Sequence, residues 1–330
     1  MKDLGTRLTD GQGRRFYYLR LSVTDVCNFR CAYCLPQGFQ KTGDDAFLTV
    51  DEVGRVAAAF SALGVGKVRL TGGEPTTRKD ITELIARTAA TPGVAKIAMT
   101  TNGWNLAKHA RAWRDAGLTA VNVSIDSLDP GRFAAITGHD RLNDVVAGVD
   151  AALARDFAAV KVNAVLLRDD AEAEFKAFAA FARTRPLAVR FIELMRTRDN
   201  GAYFKDQHLS GDVLKAWLDR EGWIPRTRAF DDGPAVEYVH PDHKGRIGLI
   251  APYGPGFCDS CNRLRVTARG KLRLCLFGEG GVELRDLLQA DADRDALVER
   301  IVAAMGARAA GHRLAEDDPG DTRHLAQLGG

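Results

Sequence analysis

The sequence predicts an α/β fold, an incomplete (β/α)6 TIM-like barrel followed by a C-terminal α+β extension. Between residue 16 and about residue 220, six short runs rich in β-branched residues alternate with longer helical patterns. This alternation indicates a parallel sheet with helices on its outer face, and six units are fewer than the eight of a closed barrel. After residue 222, short strands are joined by turns, which is typical of antiparallel hairpins. We therefore expect two domains, 1–222 and 223–330.

Each predicted strand is a short segment in which apolar and β-branched residues are concentrated. The six strands of the barrel are 16–24, 67–71, 96–102, 120–126, 159–167 and 188–195. The helices between and after them are 50–63, 78–90, 106–116, 130–155, 171–183 and 210–221. Thr49 and Glu52 form a capping box at the start of the first helix, and Ser210 is the N-cap of the last.

The C-terminal extension contains two predicted hairpins and one helix. Segments 235–240 and 246–251 flank one turn, and segments 262–267 and 271–277 flank a second. A helix near 293–309 follows, and the chain ends in a polar tail that closes with two glycines.

Polar residues recur on one face of four predicted strands. In the first strand, Arg20, Ser22 and Thr24 alternate with apolar residues, although strands of a covered parallel sheet are usually apolar throughout. The same alternation places these residues on one face of the second, fourth and fifth strands: Arg69 and Thr71; Asn122, Ser124 and Asp126; Lys161 and Asn163. Repeated across the sheet, the pattern predicts a polar cavity inside the barrel, where such folds place their sites.

Composition excludes several classes of protein. The 330 residues include 46 basic and 43 acidic side chains, a net charge of +3, which gives no support for a nucleic-acid-binding surface. No apolar run approaches the length of a membrane span. The first fifteen residues are charged and glycine-rich with no apolar core, so we expect no signal peptide and a reducing, cytoplasmic location.

All six cysteines lie in two groups of three. The first group has the spacing C-x-x-x-C-x-x-C, and the second is C-x-x-C followed by thirteen residues and a third cysteine. A structural zinc ion takes four protein ligands, whereas a 4Fe–4S cluster held by three thiolates keeps one iron open to an outside ligand. The pattern therefore predicts two such clusters, one at each group: Cys27, Cys31 and Cys34; Cys258, Cys261 and Cys275.

Zinc remains the alternative for the second group. The nearest histidine downstream of the first group is His109, too distant in sequence to complete a compact site. His240 and His243 lie just upstream of the second group and could complete a zinc site there. Disulfides are not expected in a reducing compartment.

The first cysteine group, with its surroundings, resembles the radical S-adenosylmethionine (radical SAM) superfamily. Residues 27–34 read C-N-F-R-C-A-Y-C directly after the first strand, with Tyr33 as the aromatic residue that precedes the last cysteine of the superfamily signature. Residues 71–75, T-G-G-E-P, follow the second strand and resemble the superfamily's SAM-binding glycine motif. The resemblance implies that three cysteines hold three irons of a cluster and that SAM chelates the fourth.

The resemblance then narrows to the GTP 3′,8-cyclase family of molybdenum cofactor (molybdopterin) biosynthesis. Residues 20–36 read R-L-S-V-T-D-V-C-N-F-R-C-A-Y-C-L-P, and the likeness extends from about residue 14 to residue 330. Leu35 stands where the family often has Met, and the tail is less basic than in many members. The further segments that carry the likeness are 67–75, 100–103, 121–128, 161–163, 190–195, 257–267 and the Gly-Gly end.

The family resemblance implies a role for each matching residue. It implies that the two cysteine groups are the metal ligands of two 4Fe–4S clusters. The implied SAM contacts are Tyr33, Gly73, Ser124 and Met195. The implied GTP contacts are Arg20, Arg69, Thr100, Lys161, Arg263, Leu264 and Arg265. The tail glycines, Gly329 and Gly330, are implied to reach the active site and to act in catalysis.

The implied activity is that of a lyase which converts GTP to 3′,8-cyclo-7,8-dihydro-GTP, with SAM as the radical source. The implied partners are a low-potential electron donor such as flavodoxin or ferredoxin, and the cyclic pyranopterin monophosphate synthase that takes the product. The resemblance leaves a homodimer open, and we expect neither nucleic acid nor a membrane as partner. Two alternatives stay open from the sequence: another radical SAM enzyme with an auxiliary cluster, such as a peptide-modifying enzyme, and a non-enzymatic zinc protein.

Overall fold

The computed structural model describes residues 8–41, 46–227 and 233–329. Within these ranges the chain forms nine α-helices and twelve strands. The strands are β1 Tyr18–Ser22, β2 Lys67–Thr71, β3 Lys96–Thr101, β4 Ala120–Ser124, β5 Ala159–Leu166, β6 Ala188–Glu193, β7 Ile224–Pro225, β8 Val236–Val239, β9 Arg246–Ile250, β10 Arg263–Val266, β11 Lys271–Arg273 and β12 Val282–Glu283. The helices are α1 Val50–Ala62, α2 Ile81–Ala89, α3 Leu106–Asp115, α4 Pro130–Thr137, α5 Leu142–Leu153, α6 Ala171–Thr184, α7 Gly201–Gln207, α8 Gly211–Arg220 and α9 Arg294–Met305.

Strands β1 to β6 lie side by side in sequence order, and each pairs with the next in parallel. Helices α1 to α6 occupy the connections between them. Apolar side chains from the strands and helices pack into one large core cluster. This architecture confirms the predicted incomplete (β/α)6 barrel.

The C-terminal strands extend the same sheet at both edges. Strand β10 pairs in parallel with β1, and β9 pairs in parallel with β6. The two predicted hairpins are present as the antiparallel pairs β8–β9 and β10–β11. Each hairpin thus covers an edge that would otherwise expose unpaired backbone groups. The sheet continues past residue 222, and the two-domain division at that point stays a prediction.

The chain must cross the open side of the barrel between β9 and β10, because these strands lie at opposite edges of the parallel sheet. The crossing segment, residues 251–262, carries Cys258 and Cys261. Cys275 follows β11, two residues after its last residue, Arg273. The second cysteine group therefore lies across the open side of the barrel.

Two helical features differ from the prediction. The single helix expected over 130–155 is two helices, because α4 ends at Gly138, whose φ of 74° is left-handed and suits a glycine cap. The short helix α7 was not predicted, since its seven residues show no apolar period. The predicted caps are present: Thr49 and Glu52 form a reciprocal capping box, and the Ser210 side chain accepts a hydrogen bond from the backbone N–H of Asp212.

In the described ranges, none of the helices combines the length and apolarity needed to cross a bilayer.

Gly245, at the entrance to β9, has no room for a side chain. A Cβ atom there would lie 2.6 Å from the Arg185 carbonyl oxygen and 2.7 Å from that of Leu187, and backbone atoms cannot move aside cheaply. We expect Gly245→Ala to lower the free energy of unfolding by about 1–3 kcal/mol, the usual cost of overpacking, as measured by urea denaturation. Gly201 is the control, because a Cβ there meets nothing within 4 Å. Equal stability of Gly245→Ala and the unchanged chain would contradict this reading of the β9 junction.

Candidate active site

A cavity of about 270 Å³ lies inside the barrel and reaches both cysteine groups. All six central strands contribute side chains to its wall. The polar faces predicted from strand alternation supply eight of these: Arg20, Arg69, Thr71, Asn122, Ser124, Asp126, Lys161 and Asn163. The predicted polar interior of the barrel is thus present.

The structure brings most of the predicted site residues together at this cavity. Its wall includes all six cysteines and ten of the residues with an implied SAM or GTP role: Tyr33, Gly73, Ser124, Met195, Arg20, Arg69, Thr100, Lys161, Arg263 and Arg265. Leu264 instead packs into the hydrophobic core, on the opposite face of β10. Gly329 lies beside β1 and β2, and Gly330 lies outside the described residues.

The first cysteine loop follows β1 and is fastened to two neighbouring elements. The backbone N–H groups of Arg30 and Ala32 donate to the carbonyl oxygens of Thr137 (3.0 Å) and Ile136 (2.9 Å) at the end of α4. The Asn102 side-chain amide donates to Asn28 Oδ1 at 2.7 Å. The loop that presents three thiols is therefore held from both sides.

The two glycines after β2 let that turn pack directly on the cysteine loop. A Cβ atom on Gly73 would lie 2.6 Å from the Asp25 carbonyl oxygen, and one on Gly72 would overlap the Thr24 carbonyl oxygen. The next residue, Glu74, is buried and accepts hydrogen bonds from Thr101 Oγ1 (2.8 Å) and the Asn102 backbone N–H (2.6 Å). The glycines of this motif thus join the turn to the cysteine loop.

Carboxylates lie close to the first cysteine group. Tyr33 Oη donates to Asp126 Oδ2 at 2.8 Å, and burial raises the pKa of Asp126 to about 6. Burial, with a contribution from Glu74, raises the pKa of Cys27 to about 12, and burial raises that of Cys34 to about 11. These thiols stay protonated at neutral pH unless a metal binds them.

Two guanidinium groups, those of Arg263 and Arg308, lie beside Cys261 in the second cysteine group. Burial alone would raise the pKa of Cys261, but the positive charges of Arg263 and Arg308 outweigh it and lower this pKa to about 7. The two cysteine groups therefore have opposite electrostatic surroundings.

The donor sets fit iron–sulfur clusters. All six thiols are free, and each group supplies three to a shared cavity; a 4Fe–4S cluster held by either group would have one iron without a protein ligand. No trio of His, Cys, Asp or Glu side chains in 8–41, 46–227 and 233–329 is arranged around a single metal ion. His240 and His243, the alternative zinc ligands, pack against Trp223 and against each other. The histidine on the cavity wall is His312.

Three arginines stand in register on adjacent parallel strands of the cavity wall. Arg20 on β1 lies opposite Arg265 on β10 and Arg69 on β2. Two residues before Arg20 on β1, Tyr18 likewise lies opposite Arg263 on β10 and Lys67 on β2. We name Arg265, Arg20 and Arg69 the arginine row. Like charges side by side in a sheet destabilise it, so the row indicates a site for an anion.

Burial and like charge both act on the cations of this wall. Burial and neighbouring Arg265 hold the pKa of Arg20 well below its ordinary value, and burial, with help from Arg263, lowers the pKa of Arg265 to about 10. Burial and Arg190 lower the pKa of Lys161 to about 7. A bound polyanion would counteract both effects, because its negative charge favours the charged forms of these side chains.

Several polar atoms of the wall lack protein partners. Asn122 Oδ1, Asn163 Oδ1 and Arg265 Nη1 are buried, and no hydrogen-bond partner for them lies in the described part of the chain. Buried polar atoms normally have partners, so these three indicate a ligand in the cavity.

The tail of the chain ends beside the arginine row. Arg20 Nε donates to the Gly329 carbonyl oxygen at 2.9 Å. Gly329 has a φ of +62°, and a Cβ atom there would lie 2.9 Å from Thr71 Oγ1 and overlap the Thr71 methyl group. Only glycine fits this position without displacing the tail.

Comparison with known proteins places this site in a family. The Radical SAM superfamily model matches residues 21–182, and the Molybdenum Cofactor Synthesis C model matches residues 187–314. A GTP 3′,8-cyclase of Stenotrophomonas maltophilia (strain K279a) is 56% identical over 325 residues, which are 98% of this chain and 100% of that protein. A GTP 3′,8-cyclase of Aeromonas hydrophila subsp. hydrophila is 53% identical over 328 residues, 98% of this chain and 96% of that protein.

The chain belongs to the GTP 3′,8-cyclase family. As a member of this family it is a radical SAM enzyme of molybdenum cofactor biosynthesis, and its cofactors are two 4Fe–4S clusters and SAM.

A solved structure supports the fold. Streptococcus suis SuiB bound to S-adenosylmethionine superposes with a TM-score of 0.59 at 12% identity, covering 86% of this chain and 68% of that one. The likeness extends to the fold alone, a partial barrel with a C-terminal extension, so it lends nothing to the peptide-modifying alternative.

The sequence did not lead us to five polar residues that line the cavity of this GTP 3′,8-cyclase family member. Tyr18, Lys67 and Arg190 line the cavity and share strand faces with Arg20, Arg69 and Ile192. Extending the alternation by one step along β1 and β2, and to β6, would have found them. Arg14 and Arg308 also line the cavity, but they come from the two ends of the chain, and no local pattern marks them.

Tyr18 is expected to ionise near neutral pH. Burial raises the pKa of its phenol, but Arg69, Arg20 and Lys67 outweigh this and lower it to about 7. The near-ultraviolet absorbance of the chain, minus that of Tyr18→Phe, should therefore show one tyrosinate forming around pH 7 instead of around pH 10.

The pH dependence of the unfolding free energy provides a second test of the ionisation of Tyr18. Because the folded pKa lies below the unfolded one, the ionised phenol stabilises the fold only as the pH rises above about 7, and fully above about 10. The difference in unfolding free energy between the chain and Tyr18→Phe should grow across that interval. Tyr238→Phe is the control, since burial raises the pKa of Tyr238. A flat difference would show that the phenol stays neutral.

Proposed function

We propose that this chain converts GTP to 3′,8-cyclo-7,8-dihydro-GTP in the barrel cavity, with the triphosphate on the arginine row and the purine toward the second cysteine group. The observation that carries the proposal is the arginine row itself, in register on three adjacent strands and in the same cavity as both cysteine groups.

The arginine row suits a triphosphate in charge and shape. Its guanidinium groups can each donate two parallel hydrogen bonds to phosphate oxygens. Arg69 Nη1 donates a hydrogen bond to Thr100 Oγ1 at 3.1 Å, and this bond orients the Arg69 guanidinium group on the cavity wall. Lys161 on β5 and Arg263 on β10 add positive charge to the wall of the same cavity. A small-molecule anion in this cavity would neutralise charges that otherwise oppose each other across β10, β1 and β2.

We assign the first cysteine group to the cluster that binds SAM, with Tyr33, Gly73, Ser124 and Met195 as its SAM contacts. Cys258, Cys261 and Cys275 hold the second cluster. When bound, the first cluster and SAM supply the one-electron chemistry that removes a hydrogen atom from the ribose of GTP. The protein holds both ligands in one cavity and fixes their relative position, which is its main catalytic contribution.

The tail closes the cavity over the first group. Leu325 and Ala326 line the cavity; burial raises the pKa of Cys34, and the backbone of these two residues opposes that rise. Gly329 then reaches the arginine row through its contact with Arg20. We propose that Gly329 and Gly330 complete the GTP site and help to keep water from the reaction.

We further propose the partners that this chemistry needs. A low-potential donor such as flavodoxin or ferredoxin would supply electrons, and the cyclic pyranopterin monophosphate synthase would consume the product. Six free thiols support a reducing, cytoplasmic setting.

The assignment of one cluster to each cysteine group predicts that SAM cleavage and formation of the cyclised nucleotide can be lost separately. Reconstituted protein should hold about eight irons, and replacing Cys258, Cys261 and Cys275 together by Ala should leave about four. Incubated without oxygen with SAM, reductant and GTP, this variant should still cleave SAM but form no cyclised nucleotide by mass analysis. Replacing Cys27, Cys31 and Cys34 should abolish both. Cyclised product at the full rate from the first variant would overturn the assignment.

The tail position predicts a sharp effect of one methyl group. Gly329→Ala should leave the iron content unchanged but slow formation of the cyclised nucleotide about a hundredfold, because the added Cβ displaces the tail from Arg20. Gly280→Ala is the matched control: its φ of +63° carries the same backbone cost, but a Cβ there meets nothing within 4 Å. Full product formation by Gly329→Ala would mean that the tail does not serve the site.

A further inference from the structure

Arg308, which follows α9, lies against the second cysteine group. Its Nη2 atom is 3.2 Å from Cys261 Sγ, and its Nε donates to the Leu274 carbonyl oxygen at 3.0 Å. Nη1 donates to Asp10 Oδ2 at 3.0 Å, and the guanidinium stacks on the Phe16 ring at 4.6 Å from its centre. All three nitrogen atoms of this guanidinium group therefore have a hydrogen-bond partner.

Asp10 joins Arg308 to a second arginine from the start of the chain. Arg14 Nε donates to Asp10 Oδ2 at 2.7 Å, and Arg14 Nη1 donates to the Cys258 carbonyl oxygen at 3.0 Å. The exposed fractions of the side chains are 4% for Arg308, 0% for Asp10 and 7% for Arg14. We name these three residues the Arg14–Asp10–Arg308 cluster. It touches Cys258 and Cys261 directly, and Leu274, which precedes Cys275.

The Arg14–Asp10–Arg308 cluster carries two positive charges and one negative charge. Apolar side chains of the same size often stabilise a fold as well as a buried ion group does, so its location beside three cysteines calls for another reason. The Cys261 sulfur, a thiol in this structure, would be a thiolate when it binds iron. A hydrogen bond from a cationic N–H group to that thiolate stabilises negative charge on the iron–sulfur cluster. Hydrogen bonds to the sulfur atoms of such clusters are among the factors that set their reduction potentials.

The first cysteine group has the opposite arrangement. The nearby charged side chains that act on its sulfurs are the carboxylates of Asp126 and Glu74. Added negative charge is therefore less favourable there than beside Arg308.

We propose that Arg308, positioned by Asp10 and Arg14, donates a hydrogen bond to the Cys261 thiolate and raises the reduction potential of the second cluster. The proposal rests on the assignment of the second cluster to Cys258, Cys261 and Cys275. Arg308 is a positioning residue in this account, because it acts through a cluster ligand and not on the substrate.

The experiment isolates the second cluster in the full-length chain. In protein with Cys27, Cys31 and Cys34 replaced by Ala, iron content and an electron paramagnetic resonance redox titration are measured with and without Arg308→Gln. The potential should fall, with the redox equilibrium constant changing about tenfold, 59 mV for a one-electron couple. Arg308→Lys, which keeps the charge, should shift the potential in the same direction by less.

Arg285→Gln is the matched control. Arg285 likewise joins the C-terminal region to a buried carboxylate, with its Nε 3.0 Å from Glu52 Oε1. Its other side-chain hydrogen bonds within the described residues go to Glu52 and to the Ala46 and Phe47 carbonyl oxygens, and not to a cysteine. Its loss should change the redox equilibrium constant less than twofold, even if it lowers the unfolding temperature as much as Arg308→Gln does. A purely structural role for Arg308 would give both variants the same result.

The possible outcomes test the cysteine assignment and the role of Arg308 separately. If the protein with Cys27, Cys31 and Cys34 replaced by Ala holds no iron, the assignment of the second cluster to Cys258, Cys261 and Cys275 is refuted. A cluster that is present, with a potential changed less than twofold by Arg308→Gln or changed equally by Arg285→Gln, would refute the role of Arg308. If Arg308→Gln does not fold, Arg308→Lys decides: it keeps the charge but loses the planar guanidinium that reaches Cys261, so the potential should still fall, and no change would overturn the proposal.

Discussion

The structure of this cavity depends on positive charge that is concentrated on one wall of the sheet. Arg265, Arg20 and Arg69 stand in register because β10, β1 and β2 pair in parallel, so each step along one strand is matched on the next. A sheet can bear such a row only if hydrophobic packing behind it is strong or a ligand supplies the missing anions. The strands meet the first condition, since Leu19, Leu21, Val68 and Leu70 are fully buried on the opposite face. Triphosphate would meet the second.

The C-terminal region completes the site instead of forming a separate module. Its strand β10 supplies two of the cations, and its crossing segment brings two cysteines over the open side of the barrel. The last residues then return to contact Arg20. A (β/α)6 barrel is open on one side, and this opening lets the second cysteine group share a cavity with the first. The incomplete barrel is thus a requirement of the chemistry proposed here.

The sequence predicted the parts of this structure that follow local rules. Strand alternation located Arg20, Arg69, Ser124 and Lys161 on the cavity wall, because side chains in a strand change face at every residue. The same rule shows why Leu264, between two cavity arginines, belongs to the core. Contacts between distant segments were not predictable. Asp10 and Arg14 meet Arg308 across almost the whole length of the chain, and the parallel pairing of β9 and β10 with the barrel edges is set by tertiary packing.

The two ends of the cavity differ in charge, and this difference suits the two ligands of the family. Asp126 and Glu74 lie at the first cysteine group, whereas Arg263, Arg265 and Arg308 lie at the second. SAM carries a positive sulfonium, and GTP carries a triphosphate with several negative charges. A cavity with low-dielectric walls strengthens both attractions and penalises the exchanged arrangement, in which each ligand would face its own charge. Under the proposed assignment, the electrostatic polarity of the barrel therefore directs each ligand to its own cluster before any specific contact is made.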